Sequence, residues 1–270
     1  MPTMPADTSP TDQLISPAEW AIRKDLAALY RLVALFGWDD TIFTHISARV
    51  PARASLVTGP DEPVTSPVDH FLINPYGTFF EEMTASALIK VDLDGNMVGK
   101  SDGFVNPAGF TIHSALHAAC PDAHVVIHLH TDAMTGVSAQ KEGLLPLTQN
   151  ALLLGPHLAY HGYEGVALDH DERQRIVADL GQKKIMLLRN HGALAYGASA
   201  AEAFTLIYFL EQACRQQIAA LSAGRDGVLE APQDAQDKVA PLGAGVGFVS
   251  GLLWPGLMRR LERKYPGWES

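Results

Sequence analysis

Val125-Val126-Ile127-His128-Leu129-His130 reads as a short buried strand, apolar and β-branched, carrying two histidines spaced two residues apart. Side chains alternate across a strand, so both imidazoles leave from the same face. A second apolar run, Ile185-Met186-Leu187-Leu188-Arg189, also reads as a strand. It is followed by Asn190-His191-Gly192, where the glycine lets the chain turn closely past a third histidine. Three imidazoles at strand ends, with one position left for water or substrate, have the composition of a catalytic divalent-metal site. Spacing alone leaves a second reading open, in which each histidine is separately satisfied in the core or at an edge.

The chain has 270 residues, 47% of them hydrophobic, and a formal net charge of -10. That is enough for one large domain or two small ones. The acidic balance argues against nucleic acid, whose phosphates call for a basic face. No run reaches the roughly 18 consecutive apolar residues of a membrane span, so no membrane partner is expected. Met1 to Asp12 is rich in Pro, Thr and Asp and lacks a basic start and apolar core, so residues 1–15 read as a disordered lead-in rather than a signal peptide. Cys120 and Cys214 have no ligand spacing and read as buried thiols of a cytoplasmic protein.

Outward from the histidines, periodicity predicts a helix from Ser16-Pro17 to Leu35 and a strand over Phe43 to Val50. Leu56 to Val68 is turn-rich. Phe71 to Ile73 is a short strand closing on the turn Asn74-Pro75-Tyr76-Gly77, and Thr84 to Leu88 reads as one helical turn. Ile89 to Asp92 enters a hairpin at Asp94-Gly95, with Met97-Val98 returning. A helix runs from Pro107 to Cys120. After the histidine strand come a Leu/Pro-rich segment through Leu154 and a Gly/Tyr/His-rich stretch from Gly155 to Gly165. Asp169 to Asp171 prefaces a helix to Leu180, and a long helix covers Ala200 to about Ala223. Gly224 to Val239 is polar and reads as a linker, and a last helix spans Leu252 to Tyr265. The alternation suggests one α/β domain with a mixed sheet over 16–223, and 224–270 as linker and C-terminal helix packing on that domain or a neighbouring subunit.

Four ordered segments carry a family resemblance: Thr44-His45-Ile46-Ser47-Ala48-Arg49, Ile73-Asn74-Pro75-Tyr76-Gly77, the helix from Gly109 into His-Leu-His, and Arg189-Asn190-His191-Gly192. Between about Asp25 and Leu221 the chain resembles the class II aldolase/adducin family, which includes L-fuculose-phosphate aldolase. The resemblance implies a three-layer α/β/α fold with a central mixed, mostly antiparallel sheet, assembled into homotetramers. It also implies that His128, His130 and His191 bind zinc or another divalent ion near a subunit boundary.

The departures from the sugar-phosphate aldolases bear on function. Their acid/base glutamate corresponds to Gly109, which has no side chain to move a proton. The positions matching their phosphate pocket hold His45, Tyr76-Gly77 and Pro107-Ala108. A phosphate needs several N–H and O–H donors, and proline and alanine supply none. A non-phosphorylated acid substrate is therefore expected. The tyrosine those aldolases borrow from a neighbouring subunit has no match in the corresponding segment near Gln149-Asn150; Tyr160 and Tyr163 lie outside that alignment.

A divalent cation held by three neutral imidazoles binds a keto or hydroxy acid and stabilises an enediolate as a carbon–carbon bond breaks. Decarboxylation suffers less than aldol cleavage from the missing glutamate, because no proton must leave before CO2 does. Candidate proton donors are His45, Tyr160 and His161; the alternative is a structural role for His45 and a solvated loop for the other two. Candidate substrate contacts are Arg49, which could equally serve an internal partner, together with Asn74, Tyr76, Gly77 and the opening at Gly109. Asn190 is expected to fix the loop presenting His191. His113 and His117, four apart on a helix, read as packing or surface residues. The leading function is a metal-dependent lyase (zinc, with Fe(II), manganese or cobalt also compatible) acting on a small acid. A non-haem Fe(II) oxygenase of aromatic acids and a non-catalytic adducin-like binding protein are the alternatives.

Overall fold

The computed structural model describes residues 15–51, 70–99, 103–165 and 171–270. Most of the lead-in, the turn-rich stretch 56–68 and the Asp169 end of the helix preface lie outside these. The seven strands are β1 (His45–Val50), β2 (His70–Ile73), β3 (Ile89–Val91), β4 (Val125–Leu129), β5 (Leu158–His161), β6 (Ile185–Leu188) and β7 (Gly192–Gly197). They form one sheet in the order β3-β2-β1-β4-β7-β6-β5. Every neighbouring pair is antiparallel except β5 with β6, which is parallel. The sheet is mixed and mostly antiparallel, as expected.

Alternation along the strands builds the layers. Ile46, Ala48 and Val50 of β1 and Val125, Ile127 and Leu129 of β4 face one core, shared with the helices Pro17–Leu35, Asp132–Ser138 and Ala200–Leu221. The opposite residues of β4 to β7, including Val126, Met186 and Leu194, face a second core beneath the helices Pro107–Ala119 and Glu172–Leu180. This second face also receives the polar side of β1, His45 and Ser47, and it holds the site.

Local chemistry explains the main helix start. Ser16 accepts a hydrogen bond from the Glu19 N–H at 3.0 Å, and Pro17 follows at the first helical position. From that helix the buried Tyr30 hydroxyl accepts from the backbone N–H groups of Ile46 at 2.9 Å and Asn74 at 3.0 Å, and lies 2.8 Å from Asn74 Oδ1. One phenol thus pins the start of β1 to the end of β2.

Several elements depart from the sequence reading. β5 falls in the Gly/Tyr/His-rich stretch and β7 between the third histidine and the long helix, where no strand was expected. β7 is Gly-Ala-Leu-Ala-Tyr-Gly, poor in β-branched residues, and exists because β4 and β6 pair with it on both sides. The Leu/Pro-rich segment contains the helices Asp132–Ser138 and Gln149–Leu154. Thr84 to Leu88 is a turn, while a short 3-10 helix occupies Phe80–Glu82. The supposed linker contains the helix Gln233–Val239, and the last helix begins at Val246 rather than Leu252.

That last helix, Val246–Lys264, buries Leu257 and Leu261 in the larger core. The tail beyond it is stitched down by Arg31, which donates to the Pro266 carbonyl at 2.8 Å, and by the Ala85 N–H, which donates to the Trp268 carbonyl at 3.0 Å. Leu242, Phe248 and Leu252 stay exposed. By length and composition, an 18-residue window within Gln233–Lys264 is apolar enough to cross a bilayer. A search for consecutive apolar residues passes over it because glycines, serine and proline interrupt the run.

Candidate metal centre

β4 delivers His128 from its buried interior and His130 just past its end. His191 follows β6 on a turn whose Asn190 adopts a left-handed φ of 58°. Asparagine tolerates that conformation better than most residues, so Asn190 does shape the loop that presents His191. Gly192 then passes so close to β4 that a Cβ there would stand 2.5 Å from the Leu129 carbonyl oxygen and 2.9 Å from His130 Cδ2. No other residue fits without moving a ligand.

The three imidazoles converge. His130 Nε2 lies 2.9 Å from His128 Nε2 and 3.1 Å from His191 Nε2, and the ligand atoms of the group lie within 4.8 Å of one another. Their other nitrogens decide what this means. The His128 Nδ1–H donates to the Ala193 carbonyl at 3.0 Å, and the His130 Nδ1–H donates to Asp40 Oδ2 at 3.1 Å. A neutral imidazole has one N–H, so the Nε2 atoms of His128 and His130 are bare lone pairs facing each other. Protonation is a poor remedy, because burial first, and then the neighbouring histidines, hold His128 well below its ordinary pKa of 6.5. Burial and His130 bring His191 down to about 4. Lone pairs that converge without a donor are what a divalent cation satisfies, and the donor set of three nitrogens fits zinc and its neighbours.

His45 lies directly beside the triad. It pairs in register with His128 across β1 and β4, and the two rings stack with centroids 5.5 Å apart. Its space comes from Gly109: a Cβ there would stand 2.6–2.7 Å from three atoms of the His45 ring. The imidazole of one strand therefore occupies the opening that a side chain at 109 would fill. Asn106 Nδ2 lies 3.2 Å from His45 Nε2.

The other expected residues divide. Tyr160 packs against the larger core, on the face of the sheet opposite His128. Its hydroxyl accepts from the Leu144 N–H at 2.9 Å, Arg189 covers its ring at 4.4 Å, and burial raises its pKa, so it holds its proton. This corrects the expectation of a proton donor at Tyr160. His161 is on the site's face but at the far edge strand, with Nδ1 2.7 Å from Asp179 Oδ2; only a narrow cleft of about 10 Å³ joins it to His191. Neither residue is in a solvated loop, since both belong to β5.

Arg49 donates to the carbonyls of His117 and of Cys120, the latter at 3.2 Å, closing the end of the Pro107–Ala119 helix; those contacts, rather than a substrate carboxylate, occupy it. Asn74 is 3% exposed and engaged by Tyr30, which corrects its reading as a pocket residue. Tyr76 packs edge-on against Phe104 at 5.5 Å, and Gly77 is an exposed turn residue with φ 99°. His113 and His117 are both buried, and Ser47 bridges them. Asp40 and Asn106 carried no signal in the sequence, and Ser47 only as part of the Thr44 to Arg49 segment, because each gains its role from a partner 61 or more residues away.

A three-layer α/β/α sheet protein with a three-histidine centre at its strand ends is the class that fold and site define. The family model for the class II aldolase and adducin N-terminal domain matches residues 24–218. The chain is similar to an aldolase II superfamily protein from Pseudomonas syringae, with 47% identity and a TM-score of 0.84 over 95% of this chain and 98% of that one. It is also similar to L-fuculose 1-phosphate aldolase from Glaciozyma antarctica, with 26% identity and a TM-score of 0.75 over 96% and 97% of the two chains. Rat alpha-adducin is 45% identical over 208 residues, 76% of this chain and 26% of adducin. This chain belongs to the class II aldolase and adducin family.

Proposed function

We propose that this chain is a divalent-metal-dependent carbon–carbon lyase, a decarboxylase or retro-aldolase, acting on a small non-phosphorylated keto or hydroxy acid. The observation that carries the reading is the convergence of the Nε2 atoms of His128, His130 and His191, with a bare lone pair on His128 and on His130 and no donor between them. The cation they would hold, zinc or otherwise Fe(II), manganese or cobalt, supplies Lewis-acid stabilisation of charge that collects on substrate oxygens. The electron pair of the breaking bond passes to the carbon beside the carbonyl and is shared with its oxygen. CO2 departs directly, or an aldehyde departs as its hydroxyl proton passes to a base or to water, and a proton then returns to that carbon.

His45, stacked on His128 and set in the opening over Gly109, is the group best placed to take up a proton from water at its bare Nε2 and pass it to that carbon. Similarity to the fuculose-phosphate aldolase supports a lyase, while the glycine at 109 and the engagement of Arg49 at the end of the Pro107–Ala119 helix favour a smaller acid over a sugar phosphate. A homotetramer in a reducing cytoplasm completes the proposal, the compartment supported by two buried free cysteines. One observation favours a second reading: the likeness to alpha-adducin supports an oligomeric binding protein without catalysis.

The test begins with elemental analysis of protein purified anaerobically without a metal-affinity tag, followed by a screen of keto and hydroxy acids. The lyase reading expects near-stoichiometric metal and release of CO2 or aldehyde without oxygen. Near-stoichiometric iron with oxygen uptake on aromatic acids would replace it with an oxygenase. Metal-free, inert protein would leave the adducin-like reading.

A further inference from the structure

Beside the candidate centre, two buried ring nitrogens lack a hydrogen-bond partner among the described residues: His45 Nδ1 and His113 Nε2. They belong to neighbouring rings, whose centroids are 5.6 Å apart at an interplanar angle of 85°. Which of them carries a proton follows from the bonds made by the other nitrogen of each ring.

Burial holds His113 and His117 down to about pKa 3, so both rings are neutral near pH 7 and each bears one N–H. The Ala123 carbonyl, 2.9 Å from His117 Nδ1, can only accept; the proton of His117 is therefore on Nδ1, and its Nε2 is a lone pair. The Ser47 hydroxyl, 2.6 Å away, must then donate to that lone pair. Having spent its proton, the Ser47 oxygen accepts from His113 Nδ1–H, also at 2.6 Å. His113 Nε2 is left as a lone pair. On the neighbouring ring, the Asn106 amide nitrogen can only donate to His45 Nε2, at 3.2 Å, so the proton of His45 is on Nδ1. The unpartnered acceptor and the unpartnered donor are complementary and belong to adjacent rings.

We propose that Ser47, His113 and His117 are positioning residues. They form a one-way hydrogen-bond chain from the Ala123 carbonyl that holds His45 as its Nδ1–H tautomer and leaves the His45 Nε2 lone pair over Gly109 and beside Asn106. The chain's purpose in turnover rests on the lyase reading; its direction does not. Phe71, stacked on His117 at 4.3 Å, and the full burial of both helix histidines keep water from scrambling it.

The experiment is nitrogen NMR of metal-free protein labelled with 15N-histidine near pH 7.5, with His45→Gln, His113→Gln and His117→Gln assigning the signals. The unmodified protein is expected to show all three rings as Nδ1–H tautomers. Ser47→Ala is expected to leave His117 in that state and to release His113 and His45 into mixed tautomers, while Ser47→Thr, which keeps a hydroxyl, restores the original pattern. An Nε2–H tautomer on His113 or His45 in the unmodified protein overturns the chain, whether or not the alanine variant folds. So does a Ser47→Ala pattern identical to the original. Because the readout needs neither metal nor turnover, inert protein with the expected tautomers would remove only the lyase reading, and an active lyase with the wrong tautomers only the chain.

Discussion

Two groups of histidines share one face of the sheet, on either side of His45, whose ring lies 5.5 Å from that of His128 and 5.6 Å from that of His113, and come to opposite ends. In the His128, His130 and His191 group the outward nitrogens of His128 and His130 are spent on the Ala193 carbonyl and Asp40, and the inward lone pairs meet with nothing between them. In the His113 and His117 group, the Ser47 hydroxyl stands between the rings and satisfies a nitrogen of each. Residue type and a hydrogen-bonded setting are common to both. What separates a ligand set from a structural pair is whether a hydroxyl is present to supply the missing donor, so counting buried histidines says little about metal binding.

His128→Ala should give the largest effect. Losing one of three ligands is expected to reduce bound metal from near-stoichiometric to trace after dialysis against a chelator, read by elemental analysis, while Ser47→Ala retains it. Full retention by His128→Ala would erase the distinction between the two groups. Gly192→Ala tests the close approach that sets the first group. Its Cβ would meet the Leu129 carbonyl and the His130 ring, so urea unfolding should show a loss of about 1–3 kcal/mol. Gly155→Ala, which meets nothing within 4 Å, should stay within about 0.5 kcal/mol of the parent.

The metal-free protein should also depend on pH through the buried histidines of both groups, His113 and His117 among them. His113 and His117 sit near pKa 3 when folded against about 6.5 in the unfolded chain. Between those values the unfolded state binds more protons, so stability is complete above about pH 6.5 and declines as pH falls toward 3. The thermal midpoint should begin to drop near pH 6, above the range where carboxylates titrate. A flat midpoint from pH 7.5 to 5 would mean that these rings are not held neutral by burial.

Much of this molecule is legible in its sequence, and the limits have physical causes. The His-Leu-His strand is readable because alternation and β-branched residues are local properties, and the helix from Ser16 because its cap lies three residues from the N–H it satisfies. β7 is not readable, because its small residues become a strand only by pairing on both sides. Tyr160 and His161 illustrate the same limit from the other direction. They are adjacent in sequence, and the alternation of a strand that periodicity did not reveal sends one ring into the larger core and the other toward Asp179.

The sequence by itself determined the family and the α/β class and singled out the three histidines that converge, since these follow from strand periodicity and from segments whose order and composition resemble those of relatives. Only the tertiary structure decided the partners that give those histidines their protonation pattern. Asp40 reaches His130 across 90 residues, Asn106 reaches His45 across 61, and Ser47 joins two rings more than 60 residues away. A hydrogen bond is defined by distance and direction, and neither exists until the chain has folded.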